Sequence, residues 1–233
     1  MEPTKQKNYA LKRAAAIGVL FVGAAAARIF WVNQVRAQWG EEPFYTWMSG
    51  SHAPLFPAFA GWLARSLASI GLTGAVALEL STVLIYVLFG GLLVAPVYGI
   101  ARRMGSEAMA AGAGLATVFY PAMLGNFPQA AAIVEPMYLL LVAAAWYFLL
   151  VAVDEMTLWP AAIGGLFVGL AYLTRPEALF YLAFALGLLL VATWLSRKQS
   201  LPLRRALANI GIALVMFALI AGPYLATLFQ ARL

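Results

Sequence analysis

Long apolar runs separated by short polar breaks dominate the chain. A helix needs about 20 predominantly apolar residues to cross a bilayer. Seven runs approach that length: 14–32, 75–101, 108–125, 130–153, 158–173, 178–195 and 207–229. The run at 158–173 is short for a full crossing. It is separated from the next by Thr174-Arg175-Pro176-Glu177. Pro176 has no amide donor and disfavours helix at Arg175, so a turn is predicted there. The pattern predicts an all-α, polytopic membrane bundle of about seven transmembrane helices, forming a single membrane domain over residues 1–233.

Segment 33–74 breaks the pattern. It is too polar to span and too apolar for an ordinary loop, with Trp39, Phe44, Tyr45, Trp47, Phe56, Phe59 and Trp62. Within residues 55–70, Arg65, Ser66 and Ser69 fall on one helical face. Leu55, Phe59, Leu63 and Leu67 turn mostly away from it. The expectation is a helix lying in the membrane interface. Small residues at four-residue spacing suggest close helix packing at Gly165 and Gly169, and at Ala108, Gly112 and Ala116. Pro96 and the Gly90-Gly91 pair are places where the second span can bend.

Composition removes the soluble alternatives. Hydrophobic residues make up 64% of the 233 residues and charged residues 10%. A soluble domain carries about 45–50% apolar and about 25% charged residues. The net charge of +6 sits in short clusters between apolar runs, which is a topology signal rather than a nucleic-acid surface. Cysteine is absent, which removes disulfides, thiolate metal sites and a cysteine nucleophile. The first run follows Lys5, Lys7, Lys12 and Arg13 and lacks a small-residue cleavage site, so it reads as a retained anchor.

Lysine and arginine accumulate on the cytoplasmic side of membrane proteins. With the N-terminus cytoplasmic, ten of the 15 lysines and arginines fall inside: Lys5, Lys7, Lys12, Arg13, Arg102, Arg103, Arg197, Lys198, Arg204 and Arg205. Arg28, Arg36, Arg65, Arg175 and Arg232 fall outside. The expected placement is a multi-pass protein of the plasma (inner) membrane, N-terminus in and C-terminus out.

That topology sorts the acids unevenly. Glu41, Glu42, Glu79, Glu135 and Glu177 gather toward the outer face, at a depth similar to Arg28, Arg36, Arg175 and His52. Ionised groups at membrane depth are costly and usually pair or line a polar cavity. The expectation is an outward-opening polar cavity beneath the aromatic segment. Each residue also has a plainer role. Glu41-Glu42 suits a solvated loop, and Glu79 or Glu135 a partner for Arg28 or Arg175. Arg175 and Glu177 suit helix ends, His52 a turn, and the aromatics an interfacial belt. No phosphate-binding glycine loop, His/Cys metal cluster or serine elbow is present in the sequence.

Four stretches, in order, resemble the membrane glycosyltransferases of the GT-C fold, family 39, the group of protein mannosyltransferases and aminoarabinose transferases. Glu41-Glu42-Pro43-Phe44-Tyr45 resembles the acidic pair of the first outer loop. His52-Ala53-Pro54-Leu55-Phe56-Pro57 resembles the proline-rich start of the interfacial helix. Val134-Glu135-Pro136-Met137-Tyr138-Leu139 resembles the opening of the fourth span. Leu173-Thr174-Arg175-Pro176-Glu177-Ala178 resembles the segment between the fifth and sixth. The family's pair usually begins with Asp, and its members are usually longer. The chain therefore reads as a short or truncated member.

The resemblance implies transfer of a sugar from a polyprenyl-phosphate donor to an acceptor at the outer face, with inversion. It implies Glu42 or Glu41 as the catalytic base. Arg175 is the first candidate for the donor phosphate, with Arg36 and His52 as alternatives. Glu135, Glu177, Glu79, Tyr45 and Trp47 would orient these groups or bind sugar. The implied partners are a membrane lipid carrier and a glycan, lipid or protein acceptor; a membrane protein partner is also open, and nucleic acid is not expected. No cofactor is required, and a divalent metal stays open. Two other readings use the same residues: a non-catalytic subunit of a glycosyltransferase complex, favoured by co-purification with a longer partner, and a transporter or lipid flippase, favoured by transport without sugar transfer.

Overall fold

The structure, a computed structural model, describes residues 3–39, 53–119, 130–155, 157–195 and 203–230. Among these the chain is helical throughout: α1 (Pro3–Trp39), α2 (Leu55–Ser69), α3 (Gly74–Leu92), α4 (Val94–Met104), α5 (Glu107–Val118), α6 (Ala130–Glu155), α7 (Leu158–Tyr172), α8 (Ala178–Leu195) and α9 (Leu203–Gln230). Each predicted apolar run overlaps at least one of these helices, and residues 120–125 of the third run lie outside the described residues. Among the described residues, four stretches are long and apolar enough to cross a membrane: Tyr9–Gln34, Gly74–Met104, Val134–Glu155 and Arg204–Leu228. The helix Leu158–Tyr172 is apolar but shorter, as the sequence suggested. The chain is membrane-embedded by this criterion.

Local chemistry explains the boundaries. Gly71 takes φ 99° just after α2, a left-handed conformation in which glycine avoids a Cβ penalty. Ser106 caps α5 by accepting the Met109 amide at 3.2 Å, which satisfies one amide left over by the helix. The second predicted span is divided at Leu93 into α3 and α4. Pro96 accounts for this, because it cannot donate to the Leu92 carbonyl and its ring crowds that group. The predicted turn lies between α7 and α8. There the Arg175 amide donates to the Ala171 carbonyl at 2.8 Å and the Thr174 hydroxyl to the Leu170 carbonyl at 3.0 Å.

The chain groups into two compact units. The first comprises Met1–Gly50 and Phe59–Leu140, the second Ser51–Ala58 and Leu141–Leu233. In the first, α1 packs on α3, α4 and α5. A Cβ on Gly91 would lie 2.9 Å from the Phe21 ring, while Val32 and Asn33 face Val76 and Val83, so α1 and α3 run antiparallel. Ala24, Val94 and Val118 form a core patch, joined by Leu20 and Ala27.

In the second unit α7 packs most extensively on α9. Gly165 and Gly169 form the contact, as their spacing predicted. A Cβ on Gly165 would stand 2.7 Å from the Ala213 Cα, and one on Gly169 would stand 2.7 Å from the Ile220 Cβ. The buried Asn209 donates from Nδ2 to the Ala152 carbonyl at 3.1 Å, tying α9 to α6. The rings of Tyr172, Phe217 and Tyr224 meet edge to face.

Two details differ from expectation. Ala108, Gly112 and Ala116 are exposed. The buried face of α5 is instead Ala110, Gly114, Thr117 and Val118, because a second small-residue repeat is offset from the first. On α2, Arg65, Ser66 and Ser69 are exposed as predicted. The fully buried positions are Phe56 and Ala60, rotated by one residue from the predicted apolar stripe.

Candidate functional site

The first unit carries a buried polar group between α1, α3 and the start of α6. Arg28 of α1 is 0% exposed. Its Nη1 donates to the Ala24 carbonyl at 3.0 Å, one turn earlier on the same helix. The side chain lies across Gly90 of α3. A Cβ there would overlap the Arg28 Nε and stand 2.6 Å from its Cδ. Tyr86, one turn before Gly90 and 1% exposed, is within electrostatic reach of both Arg28 and Glu135. Tyr138, one turn beyond Glu135, is also buried. Two of the predicted polar residues, Arg28 and Glu135, are therefore both within electrostatic reach of Tyr86.

Glu79 is 5% exposed and lies on the same face of α3 as Tyr86 and Gly90. It lines a separate crevice with Ile29, Val32, Asn33, Val76, Leu80 and Val83. The local reason is helical periodicity, which puts Glu79 and Val83 on the side of α3 turned to α1.

A second polar cluster joins α1, α4 and α5 at the opposite end of α1. The Glu107 Oε2 accepts from Arg102 Nε at 2.7 Å and from Arg13 Nε at 3.3 Å, and its Oε1 accepts from the Tyr98 hydroxyl. Arg102 also donates to the Gly105 carbonyl at 3.0 Å. Hydrogen bonds from Tyr98 and then Arg102 hold the Glu107 carboxyl below the usual glutamate range. The folded protein thus favours the ionised form. The stabilisation is complete above the ordinary carboxylate value and is lost as pH falls through the lower folded value. In an acid titration followed by tryptophan fluorescence, Glu107→Gln should flatten this acid limb relative to wild type.

No family model, curated protein or solved structure matches the chain. Among the described residues, no group of three or more His, Cys, Asp or Glu side chains is placed to hold a metal.

Arg175 and Glu177 belong to the second unit. The Arg175 Nε stands 4.0 Å from the Glu177 Oε2, with the carboxylate side chain 57% exposed. Such an exposed pair contributes about 0–1 kcal/mol, so it holds the turn only loosely. The turn is secured instead by the main chain, where the Leu55 amide donates to the Leu173 carbonyl at 2.8 Å. Ala171 and Ala178, which flank the turn, also line an apolar crevice with Val142, Trp146, Val168 and Tyr181.

Glu41, Glu42, His52, Tyr45 and Trp47 lie outside the described residues. Arg36 lies in α1. Sequence reasoning missed Tyr86, Tyr138 and the Glu107 cluster. The spacing of Glu79, Tyr86 and Gly90 on one helical face was the available signal for the first. The Ser106-Glu107 helix start after Arg102-Arg103 was the signal for the last.

Proposed function

We propose that the chain is a GT-C-like membrane glycosyltransferase that moves a sugar from a polyprenyl-phosphate donor to an acceptor. In this reading it has seven spans in the plasma membrane, a cytoplasmic N-terminus and an extracytoplasmic active face. The observation that supports the reading most is the second unit's turn. Arg175 sits on a short link between α7 and α8, with its side chain 32% exposed. A lipid phosphate needs a permanent, two-donor cation for its head, and a partly exposed guanidinium can meet it.

The reaction breaks the bond between the anomeric carbon and the lipid phosphate oxygen and forms one to the acceptor oxygen or nitrogen. Glu42 or Glu41 takes the acceptor proton as general base. Arg175 holds the departing phosphate, with Arg36 and His52 as alternatives. Glu135 and Glu177 orient these groups or meet sugar hydroxyls. Attack from the side opposite the phosphate inverts the anomeric centre.

The test is release of lipid phosphate from a labelled polyprenyl-phosphate sugar by the purified protein in nanodiscs. At least one of Glu41→Gln and Glu42→Gln should lose transfer by about 100-fold or more while still inserting. Arg175→Ala should raise the donor KM. Full transfer by both glutamine variants and their combination removes the base assignment. No release by wild type with any such donor removes the enzymatic reading.

A further inference from the structure

We propose that Arg13 of α1 and Arg102 of α4 form a docking site for the phosphate of one anionic membrane lipid. The site concerns the first unit alone, lies at the opposite end of α1 from Arg28, and does not depend on the enzymatic reading.

Convergence is the first argument. The Arg13 Nε stands 3.3 Å and the Arg102 Nε 2.7 Å from the same Glu107 Oε2. Because both distances meet at one atom, the two nitrogens are at most 6.0 Å apart. One carboxylate offsets only one of the two cations, so the three side chains together keep a positive charge. Among the described residues, Glu107 is the one anion in the hydrogen bonds and ion pairs of these two arginines. The Tyr98 hydroxyl donates to the other carboxylate oxygen. It fixes Glu107 and, through it, both guanidiniums, so a ligand meets donors already in place.

The second argument is the supply of donors. An arginine has five N–H donors in a fixed fork. Glu107 takes the Nε of both side chains, and the Gly105 carbonyl takes Arg102 Nη1 at 3.0 Å. Among the described residues, both Nη groups of Arg13 and the Nη2 of Arg102 are left for an occupant. Phosphate oxygens suit them, because guanidinium meets phosphate with parallel charge-assisted hydrogen bonds. The two arginine side chains are 43% and 39% exposed, so an occupant reaches them without a helix moving.

The third argument, level, selects a lipid as the source of the phosphate. Arg13 lies four residues inside the apolar stretch Tyr9–Gln34, and Arg102 two residues inside Gly74–Met104. At about 1.5 Å rise per residue, they sit about 6 Å and about 3 Å within the ends of those stretches. Headgroups give way to acyl chains in that layer. Met109 lies against Gly105, and Met104 and Met109 are 75% and 45% exposed. They give an acyl chain an apolar surface beside the guanidinium of Arg102. A zwitterionic lipid brings its own ammonium to compete for the phosphate, whereas an anionic lipid leaves its phosphate to the arginines.

The experiment uses the full chain in mixed micelles containing equal amounts of phosphatidylglycerol, phosphatidylethanolamine and phosphatidylcholine, with retained lipids read by native mass spectrometry. Wild type should retain phosphatidylglycerol about tenfold over either zwitterionic lipid, a discrimination within reach of one charge-assisted hydrogen bond. Arg13→Gln combined with Arg102→Gln should erase the preference. Arg204→Gln combined with Arg205→Gln removes the same charge from the exposed first turn of α9 in the second unit and should leave the preference intact. Arg13→Lys combined with Arg102→Lys keeps the charge without the fork and should lose most of the preference; it decides the matter if the first glutamine pair fails to fold. Equal retention of the three lipids by wild type, equal losses from the two glutamine pairs, or an unchanged preference in the lysine pair overturns the proposal. Displacement of the lipid by millimolar inorganic phosphate would make this a site for a soluble anion and overturns it as well.

Discussion

Gly165→Ala should lower the thermal midpoint of the purified protein sharply, and Gly165→Val should prevent recovery of folded protein. The cause is a contact with backbone rather than side chain. The added methyl would overlap the Ala213 carbonyl oxygen and stand 2.7 Å and 2.8 Å from the Ala213 Cα and carbonyl carbon. A side chain can rotate away, but α9 can only move bodily. Overpacking costs about 1–3 kcal/mol even where side chains can adjust, so this site belongs at or above the top of that range. Gly187 is the comparison, because nothing lies within 4 Å of a Cβ there. Gly187→Ala should leave the midpoint unchanged or raise it slightly, since alanine favours helix. Thermal scanning in detergent by tryptophan fluorescence separates the two, and equal midpoints for both variants would remove the close α7–α9 approach.

Arg28→Met should cost about 1–3 kcal/mol, the range for losing a buried hydrogen bond made by a charged group. Methionine keeps much of the side-chain volume, so the loss reports charge and hydrogen bonding rather than a cavity. Arg28 is fully buried, donates to the Ala24 carbonyl and lies near Tyr86. Lysine should recover part of the loss by restoring the charge, although it cannot reproduce the planar guanidinium. Denaturation in mixed micelles, with all three proteins in the same detergent, gives the comparison. A methionine variant as stable as wild type would mean that the buried guanidinium contributes nothing to the first unit.

The helices were legible because a bilayer forces its signature into the sequence. Backbone groups in lipid must be satisfied internally, so apolar runs become helices. The turn at Thr174–Glu177 was equally legible, because Pro176 acts locally. The packing face of α5 was not. Small residues occur on two faces of that helix, and only the neighbours choose between Gly112, which is open, and Gly114, which meets Leu20 and Val94. Helical phase hides Tyr86 for a related reason: inside Leu84-Ile85-Tyr86-Val87 it looks like one more apolar residue. Arg28, Glu79 and Glu135 stood out in the sequence by their cost at membrane depth, and Arg28 and Glu135, from separate segments, both come within electrostatic reach of Tyr86. Which side chains share a cavity is set by tertiary packing, which spacing along the chain does not encode. Glu41 and Glu42, on which the chemistry of the proposed reaction turns, lie outside the described residues.

The bond from the Leu55 amide to the Leu173 carbonyl uses no side-chain atom. Its two ends are therefore indifferent to side-chain identity, and residues 55 and 173 can be exchanged widely while the Arg175 turn stays anchored. Proline at position 55 is the one standard replacement that abolishes the donor. Ordinary alanine scanning would pass over this anchor without a signal, whereas replacing the amide with an ester at that position would expose it.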